Sequence, residues 1–245
     1  MNITVFDGSE AVALALARSV ADALVARPQL VLGLATGRTP VRAYAEMRRM
    51  HADGLCDWAR ASTFNLDEFV GVDPRHAGSF RQFMQRHLFD GVNLHPSGIH
   101  FLNGVAADLD AECDRYEEAI HASGGIDLQI LGIGANGHIG FNEPADELVA
   151  RTHRVRLFES TRRDNAALFG NDPTRVPEEA LSMGIGTILR ARRIFLVATG
   201  GRKAECIART VTGGITTRVP ASLLQIHPNV EVLLDCAAAG LVRRS

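Results

Sequence analysis

"LVLGLATGRTP", Leu30 to Pro40, decides the fold. Leu30 to Ala35 is a short, unbroken apolar run of the kind that fills strands covered on both faces, as in parallel sheets. The next five residues carry turn chemistry. Gly37 lets the backbone reverse sharply, Thr39 is placed to cap a helix, and Pro40 to take its first position. Working outward, Ser9 reads as an N-cap, and Val12, Leu16, Val20 and Leu24 recur every fourth residue until Pro28 stops the helix. Further helical stretches fall near Pro40–Asp53, Ser79–Phe89, Asp108–His121, Gly184–Ala191 and Arg202–Val211. They alternate with strand-like "STFNL", "IHFL", "DLQILGIG", "RIFLVAT" and "VEVLLD". This alternation predicts an α/β protein with a mainly parallel sheet flanked by helices, as one domain over residues 1–245. Residues 158–183 are the least regular and read as an inserted helical lid.

The composition narrows the partner. At 245 residues, 46% hydrophobic and 22% charged, with a net charge of −2, the chain carries no electrostatic footprint for nucleic acid or an anionic membrane. A small molecule is expected, and any anion must be held by a local cluster. "MNITVFDG" has no basic segment leading into an apolar run, and no window is a membrane span, which places the protein in the cytoplasm. Cys56, Cys113, Cys206 and Cys236 are far apart and lack CxxC spacing, so they read as reduced structural thiols with no metal site.

In parallel α/β sheets ligands bind beyond the carboxyl ends of strands, so chemistry is sought in the turns there. "ATGRTP" (Ala35 to Pro40) offers free amides at a helix start, a threonine hydroxyl and the positive end of a helix dipole, which suit a phosphate. It is neither the P-loop nor the GxGxxG pattern, so a nucleotide is not favoured. "ATGGRKAE" (Ala198 to Glu205) is a second such start, with Arg202 and Lys203 where a cation opposes the dipole unless an anion is bound. In "FNLDEFVGV" (Phe64 to Val72), Asp67 and Glu68 follow a strand and offer a carboxylate as general base. "GIGANGHIGFNEP" (Gly132 to Pro144) sets four glycines around a single histidine, His138. Glycine at that density marks tight turns or backbone lying close to a ligand.

"LGLATGRTP", "FNLDEFVGV", "GIGANGHIGFNEP" and "PASLLQIHP" (Pro220 to Pro228), in this order over nearly the whole chain, resemble the glucosamine-6-phosphate deaminase family. The resemblance implies a modified Rossmann-like fold and conversion of glucosamine 6-phosphate to fructose 6-phosphate and ammonia. Carried over by position, His138 protonates the ring oxygen during ring opening, Glu143 orients the imidazole, and Asp67 moves a proton from C2 to C1. Gly37, Thr39 and Lys203 match the phosphate cradle. No metal or organic cofactor is implied, because the amino group at C2 already acidifies the proton there.

Three departures stand out. Asn136 occupies a position where some members carry aspartate as a third partner of the histidine. Ala167 replaces an arginine that reaches the phosphate from the lid. Arg38 in the phosphate loop, or Arg163 one helical turn before Ala167, can supply that guanidinium, Arg38 being the better placed. The chain ends soon after "LLDCAAAGLVRRS", and Asp146, His153 and Val155 do not reproduce the basic effector pocket of the allosteric hexameric members. A monomer or small homo-oligomer without allosteric activation is therefore expected. The competing readings are a galactosamine-6-phosphate deaminase, a 6-phosphogluconolactonase, which "FNEP" with Glu143 argues against, and a non-catalytic sugar-phosphate sensor.

Overall fold

Strands that are apolar on both faces need helices on both faces, and the chain supplies them in alternation. The structure is a computed structural model describing residues 1–242; the last three residues of "LLDCAAAGLVRRS" lie outside the described residues. In chain order the elements are β1 (Asn2–Phe6), α1 (Ser9–Ala26), β2 (Val31–Leu34), α2 (Arg38–Ala52), β3 (Ser62–Asn65), β4 (Asp67–Phe69), α3 (Phe80–His87), β5 (Ile99–His100) and α4 (Leu109–Ala122). Then come β6 (Leu128–Leu131), β7 (His153–Arg156), α5 (Glu159–Asn165), β8 (Glu179–Ser182), α6 (Ile185–Leu189), β9 (Arg193–Ala198), α7 (Ala204–Thr212) and β10 (Val230–Asp235).

Seven strands lie side by side in the order β1, β10, β9, β6, β2, β3, β5, and every pairing among them is parallel. The sheet separates two apolar layers. On one side α1, α2 and α3 cover Leu32 and Leu34; on the other, α4, α6 and α7 cover Val31 and Leu131. Val12, Leu16, Val20 and Leu24 of α1 are each at most 1% exposed, and each contributes about 1.5–3 kcal/mol by leaving water. No helix among the described residues is long and apolar enough to cross a membrane.

Two helix starts differ from the sequence reading. Ser9 is the first helical residue of α1 rather than its cap; Gly8, extended at φ −166°, stands before it with no side chain to accept an amide. Likewise α2 begins at Arg38, because Gly37 at φ +100° turns the chain before Thr39 can act as a cap. The phosphate-type turn is thus tighter than expected, and its first free amides belong to Arg38 and Thr39.

A second sheet, β4–β8–β7 and antiparallel, has no counterpart in the sequence reading. Its strands have three or four residues, and β4 pairs with a segment more than a hundred positions away, so neither periodicity nor a local turn announces it. It also corrects the helical lid. Residues 158–183 begin as α5 and a 3-10 turn, Ala166–Phe169, but end in β8, whose Ala180 to Ser182 are buried.

The strand order places the cleft. From β2 the chain steps through β3 toward β5, whereas from β6 it steps through β9 toward β10, with β1 at the far edge. β2 and β6 are adjacent, so the turns leaving their carboxyl ends diverge and open a crevice between them.

Candidate active site

A cleft of about 410 Å³ occupies that crevice. Its floor is Ala35 to Val41 after β2 and Gly132 to Gly134 after β6; Asp67, His138 and Lys203 face it, and Thr161 and Asp164 of α5 wall it from outside.

Asp67 and Glu68 are consecutive residues of a strand, so their side chains leave on opposite faces. Asp67 faces the cleft and is 6% exposed. Burial, reinforced by the neighbouring Glu68 carboxylate, pushes its carboxyl up to about 8. Glu68 points the other way and accepts from the backbone amides of Phe69 (2.9 Å), Phe80 (3.0 Å) and Arg81 (2.9 Å), satisfying the start of α3. Of the two acids, only Asp67 is placed for chemistry. Glu68→Gln is expected to turn an amide donor toward the Arg81 N–H, costing about 1–3 kcal/mol of stability. It also removes the charge beside Asp67, which moves the acid limb of the activity profile to lower pH; denaturant unfolding and a pH–rate profile check both.

The histidine loop shows why it needs glycine. A Cβ on Gly134 would fall 2.3 to 2.5 Å from Cε1, Nδ1 and Nε2 of His138, so the imidazole lies directly on that Cα. Backbone bonds close the loop: Gly134 N donates to His138 O at 2.9 Å and Gly137 N to Gly134 O at 3.0 Å. Side chains and a neighbouring segment anchor it. Phe141 N donates to Ser182 Oγ, Asn142 Nδ2 donates to Ile139 O and Met183 O, and Ala221 N of "PASLLQIHP" donates to Gly137 O.

His138 Nδ1 stands 3.2 Å from Glu143 Oε2. Glu143 is 6% exposed and receives Asn136 Nδ2 at 2.8 Å and the Thr161 hydroxyl. Burial pushes its carboxyl up, but His138, Thr161 and Asn136 together outweigh that and hold it below the usual carboxylate range. Asn136 therefore does not touch the imidazole as expected. Its amide donates to Glu143, and its Oδ1 accepts from the backbone N–H of His138 at 3.1 Å. The reason is reach: the short side chain lies two residues before His138, where it closes a local turn. Thr161 is the partner that sequence reasoning misses, since a lone threonine in an irregular segment carries no signal.

At the other end of the cleft, Gly37, Arg38, Thr39 and Lys203 line it together. Lys203 lies in a 3-10 turn, Gly201–Lys203, ahead of α7, and its Nζ donates to Ile133 O at 2.7 Å. Burial lowers its ammonium from the ordinary lysine value, Cys206 and Asp164 raise it, and Arg38 and Arg202 lower it. Arg163 is not brought to the cleft. It pairs with Glu159 at 3.3 Å and is exposed, because the face of α5 turned to the cleft carries Thr161, Asp164 and Asn165, and Arg163 lies off that face. Arg38 is thus the arginine at this end.

Known proteins share both the frame and the motif turns. The family of glucosamine-6-phosphate isomerases and 6-phosphogluconolactonases matches residues 7–233. A glucosamine-6-phosphate deaminase of Halothermothrix orenii is 49% identical over 223 residues, 91% of this chain and 92% of its own length. One from Alkaliphilus oremlandii is 46% identical over 99% of this chain and 100% of its own. The solved structure of a monomeric glucosamine-6-phosphate deaminase superposes with a TM-score of 0.95 at 41% identity, over 98% of this chain and 100% of that one. A 6-phosphogluconolactonase from Trypanosoma brucei covers 99% of this chain and 98% of its own at a TM-score of 0.75 and 19% identity, a likeness of fold alone. A match running from just before α1 into β10, with the motif turns gathered around one cleft, establishes that this chain belongs to the glucosamine-6-phosphate isomerase/6-phosphogluconolactonase family.

Proposed function

We propose that this protein is a glucosamine-6-phosphate deaminase, converting glucosamine 6-phosphate and water to fructose 6-phosphate and ammonia. The observation that carries the reading is a buried, proton-holding carboxyl, Asp67, sharing one cleft with an imidazole backed by a buried carboxylate and with two cations at the far end. In this reading Arg38, Lys203 and the amides after Gly37 hold the phosphate, which sets the sugar ring between Asp67 and His138.

His138 gives a proton to the ring oxygen as the ring opens, and Glu143 stabilises the imidazolium and fixes the ring orientation. Asp67 takes the C2 proton and returns it at C1, leaving an iminium at C2 that water hydrolyses to the ketone and ammonia. A single carboxylate near two adjacent carbons suits this transfer. The substrate's own ammonium favours the ionised form of Asp67, so binding prepares the base. α5 and the turn after it act as the lid of one α/β domain. The protein works as a monomer or small homo-oligomer in the cytoplasm, where charge retains a sugar phosphate.

Relatives at 46–49% identity are named deaminases, which favours this reading over lactone hydrolysis. The test is ammonia release from the purified protein with glucosamine 6-phosphate and, separately, galactosamine 6-phosphate. Release from the first carries the proposal, release from the second alone changes the epimer, and silence with both overturns it. Arg38→Ala is expected to raise KM about tenfold with kcat nearly unchanged, since it removes binding common to ground and transition states; steady-state kinetics decide.

A further inference from the structure

The outer wall of the cleft is made by α5 and the 3-10 turn after it, which contribute Thr161, Asp164, Asn165, Ala167 and Leu168. Asp164 is the one ionisable side chain among them. Across the cleft stand Arg38 and Lys203, and both Asp164 and Arg38 lie close enough for their charges to act on the Lys203 ammonium. Among the described residues none of these three side chains is in an ion pair, although the neighbouring Arg162 and Arg163 have Glu178 and Glu159 as partners. An exposed carboxylate therefore lines the end of the cleft where, on the proposed reading, a phosphate dianion is to bind.

Left alone, that carboxylate repels the ligand. Lys203 is poorly suited to relieve this, because one of its three donors is already given to Ile133 O and it acts as a point charge. Arg38 carries five donors in a planar fork, enough to meet a carboxylate and a phosphate together. It is exposed at the first position of α2, free to swing toward α5.

We propose that Asp164 is a positioning residue for the phosphate site: it draws the Arg38 guanidinium across the mouth of the cleft, where the fork bridges Asp164 and the phosphate. Asp164 shares with Thr161 and Asn165 the face of α5 that lines the cleft, and Arg163 lies off that face. The inference rests on the phosphate reading of this end of the cleft and is independent of the reaction catalysed at the other end.

The experiment uses four proteins: the parent, Asp164→Asn, Arg38→Ala and the double variant. Binding of inorganic phosphate and of glucosamine 6-phosphate is measured by calorimetry, and kcat and KM by ammonia release. Asp164→Asn in the parent is expected to weaken phosphate binding and raise KM by about three- to tenfold, with kcat within twofold. In the Arg38→Ala background the same change is expected to tighten binding, because only the repulsion remains to be removed. That reversal of sign is what a merely structural role would not produce. Tighter binding or no change on Asp164→Asn in the parent overturns the proposal, as does an equal loss in both backgrounds. If the parent binds phosphate but releases no ammonia, the deaminase reading fails while the binding arms still judge Asp164; a parent that releases ammonia but whose substrate binding is unaffected by Arg38→Ala overturns the Asp164 proposal alone, and one that binds neither inorganic phosphate nor glucosamine 6-phosphate overturns both.

Discussion

Asp67→Asn is expected to lower turnover by roughly 10²-fold or more while leaving phosphate binding nearly intact. An amide has the shape of the carboxyl but takes no proton from C2. The same substitution is expected to raise the melting temperature. In the folded protein Asp67 holds its proton up to about 8, against an ordinary 3.8 in the unfolded chain. Between those two values the unfolded chain releases a proton that the folded one keeps, so the contribution of Asp67 to stability falls as pH rises from about 4 and levels off above about 8. Asparagine removes this penalty, of the order of 2–4 kcal/mol at pH 7.

The gain in melting temperature should therefore widen from pH 5 to pH 8. In the parent, kcat/KM should climb to a plateau above about pH 8, where the free enzyme holds the base ionised; the kcat limb should lie lower, because the bound ammonium favours the carboxylate. A variant that turns over like the parent, or a melting gain that shrinks as pH rises, removes Asp67 from this role.

Gly134→Ala is expected to cost about 10²-fold in kcat without deleting any catalytic group. Its methyl would stand 2.3 Å from His138 Cε1, in space the ring occupies, so the imidazole must move by more than an ångström. Misplacement on that scale is enough to lose two orders of magnitude. Gly214→Ala, outside the cleft, is the control, because a Cβ there meets nothing within 4 Å; its turnover should stay within twofold of the parent. Equal activity in both variants would mean that the ring position seen here is not the working one. Inorganic phosphate should bind both variants like the parent, since Arg38 and Lys203 are untouched.

Much of the frame is legible in the residues themselves. The α1 stripe of Val12, Leu16, Val20 and Leu24 and the unbroken run Leu30 to Ala35 predict the helix and buried strand that form. The turns after β2, β3, β6 and β9, where chemistry is expected, do meet in one cleft. The antiparallel sheet is not legible, because its strands are short and their partners distant, so the lid reading overextends helix into β8. Thr161 is invisible for the same reason, since its importance lies in reaching Glu143 eighteen positions away.

By itself the sequence determined the parallel α/β frame, the loops that carry chemistry and the glycines that let them close, because apolar periodicity and turn preferences act between residues a few positions apart. Only the tertiary structure decided which of the two adjacent acids enters the cleft. That choice depends on the register of β4 against β8, which a shift of one residue would invert. It also decided that Asn136 supports Glu143 rather than the imidazole, and that Asp164 rather than Arg163 lines the cleft with Arg38 and Lys203. The side of α5 that packs toward the cleft sets that last assignment, since Thr161, Asp164 and Asn165 share one helical face and Arg163 lies off it.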